Sequence, residues 1–83
     1  MAKFECQLNE RPSDVTKRLG DELRRRGRVL TDSSAYSVGG VLANFQVWER
    51  LSLLVIGSGK LTTVTAVSEL PEDIGFIETG LGT

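Results

Sequence analysis

The 83-residue chain has no histidine and only one cysteine. Histidine is the usual general base near neutral pH, because its unperturbed pKa is about 6.5, so the common hydrolytic triads are not expected. One cysteine forms no internal disulfide, and without histidine the ordinary ligand sets for zinc are missing. We therefore expect a non-enzymatic protein that has no catalytic residue, no cofactor and no metal site.

Long apolar runs and a strong net charge are also missing. No run approaches the roughly 18 apolar residues that a membrane-spanning helix needs, and no basic-then-apolar start resembles a signal peptide. The net charge is −1 and the isoelectric point is about 5.3. This balance disfavours nucleic acid as a partner, since a nucleic-acid-binding domain is usually basic.

The composition that remains is that of one small globular domain over residues 1–83, with 40% hydrophobic and 25% charged residues. A chain this short buries only about 60 to 65% of its unfolded surface, so its stability margin is narrow. Because neither a disulfide nor a metal is expected to stabilise it, self-association is the remaining source of stability. The leading hypothesis is therefore a homo-oligomer.

The first element is predicted to be a strand with one buried face. Residues 3–8 alternate between polar and apolar side chains, which places Phe4, Cys6 and Leu8 on the same side. The Cys6 thiol is then interpreted as a small buried hydrophobic group without reactivity, because no basic neighbour accompanies it.

The second element is predicted to be an amphipathic helix over residues 12–26. Val15, Leu19 and Leu23 are spaced four residues apart and form one apolar stripe. Arginines in the last turn and the following Gly27 are typical of a helix C-terminus.

The rest of the chain is predicted to be mostly sheet. Residues 28–38 and 41–56 are rich in β-prone side chains, and the second stretch is too long for one strand, so a bulge or bend is expected near residues 49–52. A two-residue turn centred on Ser58 and Gly59 would pair Ile56 with Leu61. Five apolar residues would then share the face that also carries Val41, Ala43, Phe45 and Val47; they are Leu51, Leu53, Val55, Val64 and Ala66.

These elements predict an α+β domain of β-α-β-β-β order, in which one amphipathic helix covers a mostly antiparallel, curled sheet of about four strands. Residues 70–83 receive no firm assignment, although Pro71 with Glu72 and Asp73 is compatible with the start of a short helix. The glycine-rich stretch Gly57–Lys60 is interpreted as a hairpin turn. It lacks the glycine spacing of a phosphate-binding loop, and a β-branched segment follows it.

The predicted interaction surface is the sheet face that a single helix leaves uncovered. Three helix residues of leucine size are too few to cover both faces, so either apolar groups on the second face or the tail from Ile74 to Leu81 is expected to lie between subunits. Trp48 and Arg50 are included because tryptophan and arginine are frequent at interfaces, and packing of Trp48 under a curled sheet is an equal alternative. The full set of predicted interface residues is Trp48, Arg50, Leu54, Ile56, Val67 and Phe76.

Glu49 also stands out, because it lies on an otherwise apolar predicted face. The neighbouring Arg50 and the expected bulge favour a structural ion pair or an edge position over a catalytic role.

A second feature is an electrostatic patch formed by Arg24, Arg25, Arg26 and Arg28. Between Arg11 and Arg28, seven basic residues stand against three acidic ones, a net charge of +4. The segment 69–83 carries four acidic residues and no basic one, a net charge of −4. The patch is interpreted as a solvated helix end, as a partner of the acidic tail in the same or a neighbouring chain, or as a site for phosphate or nucleic acid.

Two alternative functions stay open at this level. A curled sheet around a helix would leave a pocket for a small apolar ligand, which would make the protein a carrier. Alternatively, the acidic tail or the arginine patch would bind another macromolecule, which would make it a regulatory or inhibitory protein.

The stretch Val47-Trp48-Glu49-Arg50-Leu51-Ser52 resembles an aromatic-Glu-Arg-aromatic-Ser motif in a group of small, functionally uncharacterised bacterial proteins. The opening Ala2–Glu5 and the segment Ser33–Tyr36 are similar in order over roughly residues 3 to 56. The resemblance implies a β-α-β-β-β arrangement and a bacterial, cytoplasmic protein. It implies no catalytic residue.

Overall fold

Five strands form one antiparallel sheet with the order β1-β5-β4-β3-β2 in the computed structural model, which describes residues 1–82. The α+β class is therefore confirmed, but the β-α-β-β-β order is incomplete, since a further strand and a second helix follow. Thr83, the end of the unassigned tail, lies outside the described residues. The elements in chain order are β1 Ala2–Leu8, α1 Pro12–Arg25, β2 Leu30–Val38, β3 Val41–Trp48, β4 Leu51–Ser58, β5 Leu61–Ser68 and α2 Pro71–Leu81.

The bend expected near residues 49–52 is a tight turn of two residues, Glu49 and Arg50, between β3 and β4. Trp48 pairs with Leu51 across this turn. Arg50 has a φ of 59°, a left-handed conformation that glycine adopts more readily than arginine. Because the two paired residues point to the same side, Trp48 lies on the face of Leu51. The predicted grouping of Val41–Val47 with the Leu51 face is therefore wrong.

The turn between β4 and β5 is centred on Gly59 and Lys60, one residue later than predicted. Ser58 pairs with Leu61, and Val55 pairs with Val64. Moving a turn by one residue shifts the partner strand by two, which changes every pair but keeps each side chain on its face. The predicted register is thus wrong, while the predicted common face of Val55 and Val64 is correct.

Both helices pack on the same side of the sheet. Gly80 of α2 lies against α1 so closely that a Cβ there would stand 3.2 Å from both Leu19 Cδ2 and Glu22 Cβ. The buried hydrophobic core between the helices and the sheet consists of Val15, Leu19, Leu23, Trp48, Leu51, Leu53, Val55, Val64, Ala66, Ile77 and Leu81.

The second helix explains the tail that the sequence left unassigned. Pro71 occupies the first turn of α2, where its missing N–H removes no helical hydrogen bond, and Glu72 and Asp73 favour the same end. Gly82 ends the helix with a φ of 77°, which suits a residue without a side chain. The segment therefore completes the helical layer above the sheet.

Candidate interaction face on the sheet

The side of the sheet away from α1 and α2 carries a cluster of apolar side chains that water reaches. Eight large hydrophobic residues of the described chain are exposed, and six of them lie on this side. We call these six residues the uncovered face. They are Tyr36 (67% exposed), Val38 (78%), Val41 (41%), Phe45 (40%), Ile56 (38%) and Leu61 (55%).

The strand register shows why these residues share one side. Tyr36 pairs with Ala43, and Ala43 pairs with Ile56, so the three form one row across the sheet. Along β3 and β4, the residues on this side alternate with residues that face the helices, such as the buried Trp48 and Val55. The uncovered face is therefore a continuous patch on the outer half of the sheet.

The same side becomes polar towards the β1 edge. Lys3, Glu5 and Gln7 are exposed there and alternate with the apolar residues of β1 that pack under the helices. On β2, at the other edge, Asp32 is the only charged residue of the strand. The apolar patch thus has charged residues along both edges of the sheet.

Three of the predicted interface residues lie on this side of the sheet, and a fourth lies at its end. Leu54 and Val67 are half-buried beside the uncovered face, and Ile56 belongs to it. Arg50 is exposed in the β3–β4 turn. The residues that sequence reasoning missed are Tyr36, Val38, Val41 and Phe45. The signal for them was the Gly39–Gly40 turn, which pairs Val38 directly with Val41.

Two predicted interface residues lie elsewhere. Trp48 is 1% exposed, because the two-residue turn after it directs the ring under the helices. Its Nε1 donates a hydrogen bond of 3.1 Å to Gln46 Oε1, and the Arg24 guanidinium lies 5.4 Å above the ring. Phe76 belongs to α2 on the helical side and packs against the core. The predicted placement of Trp48 on the uncovered side is therefore wrong.

The arginine patch is largely neutralised by acidic residues of the same chain. Arg25 and Arg26 both bind the carboxylate of Glu22, the second through Nε at 2.8 Å. These hydrogen bonds, chiefly that of Arg26, hold the pKa of Glu22 below its ordinary value of 4.5. Arg24 stacks on Trp48 and lies 3.9 Å from Asp21. Each of these three arginines therefore has an acidic partner within the chain.

Arg28 connects the patch to the acidic second helix, as one interpretation of the sequence proposed. Its Nε donates to Asp73 Oδ1 at 2.8 Å, and its Nη2 lies 3.4 Å from Glu72 Oε1. The hydrogen bond with Asp73 raises the pKa of Arg28 above its ordinary value. Asp73 is fully buried and also accepts a hydrogen bond of 2.7 Å from the Ser68 hydroxyl. This cluster joins the end of β5 to the start of α2.

The other two residues considered for chemistry are Glu49 and Cys6. Glu49 is exposed in the β3–β4 turn, so it does not lie on the apolar face where the sequence placed it. Cys6 is half-buried beneath the helices, and desolvation raises its pKa, which lowers the fraction of reactive thiolate.

In residues 1–82, no three Cys, Asp or Glu side chains converge to hold a metal ion. Within the same residues, no helix is long and apolar enough to cross a membrane.

Among the open clefts on the surface of residues 1–82 are three of similar size. The first, of about 220 Å³, lies at the sheet end near Met1, Arg50 and Glu69. The second, of about 260 Å³, is lined by α1 alone, and the third, of about 280 Å³, lies near Asn9 and Lys60. None of the three lies between α1 and the sheet, which is where a ligand carrier would need its pocket.

Comparisons of the chain with protein-family models, curated proteins and solved structures found no match. Among the surfaces of the chain, the uncovered face departs most from the alternation of apolar and polar side chains that is typical of a sheet exposed to water.

Proposed function

We propose that this protein is a non-enzymatic homo-oligomer whose uncovered face is buried against a second copy of the chain. The observation that carries the proposal is the concentration of six exposed large hydrophobic residues on one side of one sheet. Scattered exposed apolar residues are normal on a protein surface, whereas a continuous patch marks an interaction site.

The two halves of this side of the sheet differ in a way that supports the proposal. An antiparallel sheet with one face in water normally alternates apolar and polar residues. β1 follows this rule with Lys3, Glu5 and Gln7 on the exposed side. β3 does not, because Val41 and Phe45 are exposed there although its other side faces the helices. The β3 sequence therefore suits a strand covered on both sides.

The size of the face also suits a second copy. A stable interface buries about 800 Å² on each partner, which is roughly a sixth of the 4901 Å² surface of this chain. A five-stranded sheet with strands of seven residues covers about 24 Å by 23 Å in projection. One copy stacked on another would thus bury an area of the required order.

The two alternative functions have less support. The residues between α1 and the sheet, such as Leu19 and Leu53, are 0% exposed, so the core offers no apolar space of the kind a carrier needs. The arginines that would bind an acidic macromolecule are engaged by Glu22 and Asp73. Neither alternative accounts for the uncovered face.

Light scattering coupled to size-exclusion chromatography tests the proposal. At micromolar concentrations and above, we expect a mass that is a multiple of the 9.1 kDa chain. Ile56→Lys should give the single-chain mass, because a charge at the centre of the buried face would be desolvated without a partner. Val29→Lys is the matched control, since Val29 is 57% exposed but does not belong to the uncovered face.

The control variant should keep the mass of the wild type. A folded wild type that elutes as a single chain over the whole concentration range would overturn the proposal. So would an Ile56→Lys protein that associates as tightly as the wild type.

A further inference from the structure

We infer that the second copy covers the uncovered face in one arrangement, a symmetric dimer whose two-fold axis runs along β4. This inference rests on the proposed function and adds the orientation of the partner. Its starting point is that β4 is the middle strand of the order β1-β5-β4-β3-β2. A rotation about β4 stacks the sheets, lays β3 over the partner's β5 and lays β2 over the partner's β1.

The register of the sheet makes this rotation specific. Phe45, Leu54 and Thr65 form one row across β3, β4 and β5. After the rotation, Leu54 faces Leu54 of the partner subunit, and Phe45 faces Thr65 of the partner subunit. The centre of the contact is then a Leu54–Leu54 pair flanked by two Phe45–Thr65 pairs and carries no charge, as at the core of a stable interface.

A second row provides charge complementarity. Asp32 pairs with Val47, Val47 with Ser52, Ser52 with Val67, and Val67 with Lys3. Asp32 and Lys3 therefore lie at opposite ends of one row, about 19 Å apart across four strand spacings. The rotation about β4 exchanges the two ends, so Asp32 lies over Lys3 of the partner subunit. By symmetry the same pair forms twice.

The two charged residues are available for these pairs. Lys3 and Asp32 are exposed, and neither forms an ion pair with another side chain among residues 1–82. Stacked sheets lie about 10 Å apart and cross at about 30°, which displaces the edge strands by about 5 Å. A lysine and an aspartate side chain together span that gap.

Other arrangements of two copies leave part of this surface unsatisfied. A two-fold axis across the strands would lay β2 over the partner's β2, where Asp32 meets no basic residue because it is the only charge on that strand. Pairing of the β2 edges, which would extend the sheet, would leave Phe45 and Ile56 in water. The rotation about β4 covers Phe45 and Ile56 and also pairs Asp32 with Lys3 at both edges.

Charge exchange tests the arrangement. At low ionic strength, Asp32→Lys and Lys3→Asp should each weaken self-association about tenfold, because each places like charges opposite each other at both edges. The double variant Asp32→Lys/Lys3→Asp restores opposite charges and should associate within about threefold of the wild type. Sedimentation equilibrium of the full chain measures all four proteins.

Single variants that associate as tightly as the wild type would overturn the arrangement. So would a double variant that associates no more tightly than the single variants. In both cases a dimeric wild type would leave the proposed function unaffected. A monomeric wild type would overturn the proposed function itself. The substituted positions are exposed, so circular dichroism should give the wild-type spectrum for every variant.

Thiol crosslinking separates stacking from edge pairing. In a Cys6→Ser background, Leu54→Cys should be crosslinked to the dimer mass by a short bismaleimide, since position 54 lies on the axis. Ser34→Cys lies near the middle of β2 and would meet its own counterpart if two β2 edges paired, or if a two-fold axis across the strands laid β2 over the partner's β2. Crosslinking at position 34, with or without crosslinking at position 54, would overturn the inference.

Discussion

The two faces of the sheet are built from similar strands but have different surroundings. Leu53 is fully buried under the helices, whereas Leu54, the next residue of β4, lies half-buried on the opposite side. On the covered side, polar groups such as Gln46 and Asp73 have hydrogen-bond partners within the chain. On the other side, Lys3 and Asp32 have no ionic partner in residues 1–82. One face is thus covered by helices of the same chain, and the other is the face that we propose a second copy covers.

Truncation of adjacent leucines should show the largest difference between the faces. Leu53→Ala should lower the free energy of unfolding by about 3 kcal/mol, because it removes buried methyl groups and leaves a cavity in the core. Leu54→Ala should cost less than about 1 kcal/mol of single-chain stability, because its side chain is already partly hydrated there. Urea unfolding at several protein concentrations separates single-chain stability from association.

Equal losses in the free energy of unfolding for the two variants at low protein concentration would contradict this difference between the faces. An unfolding midpoint that becomes less dependent on concentration only in Leu54→Ala would support it further.

Neighbouring carboxylates of α2 should show the next largest difference. Asp73→Ala should cost about 2 kcal/mol or more, because it leaves the Arg28 guanidinium and the Ser68 hydroxyl without their buried partner. Glu72→Ala, which loses an exposed contact with the same arginine, should cost less than about 0.5 kcal/mol. Thermal unfolding compares the two, and a larger loss for Glu72→Ala would contradict the assignment of the buried cluster.

The smallest effect concerns acid stability on the helical side. The pKa of Glu22 is lowered in the folded state by Arg26 and Arg25, so its contribution is present above the ordinary value of 4.5 and is lost as the pH falls through the folded value. Glu22→Gln should therefore reduce the loss of stability that occurs as the pH falls below the ordinary value of 4.5.

Urea unfolding at each pH measures the acid effect. Glu69→Gln is the control, because Glu69 is exposed and forms no ion pair within residues 1–82. A Glu22→Gln protein with the full acid sensitivity of the wild type would show that the two arginines contribute nothing to it.

Local patterns predicted the first half of the fold well. The alternation of residues 3–8 became β1, and the helix expected over 12–26 forms over Pro12–Arg25 with Val15, Leu19 and Leu23 buried. These signals are local, since they depend on side-chain spacing within one element. The strand count failed where a tight turn contained no glycine: Arg50 adopts the left-handed conformation, so the Glu49–Arg50 turn lacked its usual signal.

The residues on the uncovered side of the sheet were also predicted only in part. Leu54, Ile56 and Val67 were placed correctly, because their strands alternate without interruption. Trp48 was assigned to the wrong side, because the prediction carried the alternation of β3 straight through a turn that reverses it. Phe76 was assigned to the interface although no firm structure was predicted for the segment that forms α2. The error for Trp48 thus concerns which face of the sheet a side chain occupies, and the error for Phe76 concerns where a distant segment packs.

The sequence by itself determined which side chains of each strand share a face, how the first helix presents its apolar stripe, and that no disulfide is available to support a small core. Tertiary structure alone decided which face the helices cover and which face keeps Tyr36, Phe45 and Ile56 in contact with water. The physical reason is that alternation has a period of two within a strand, whereas the side on which a helix packs depends on turns and contacts far apart in the chain.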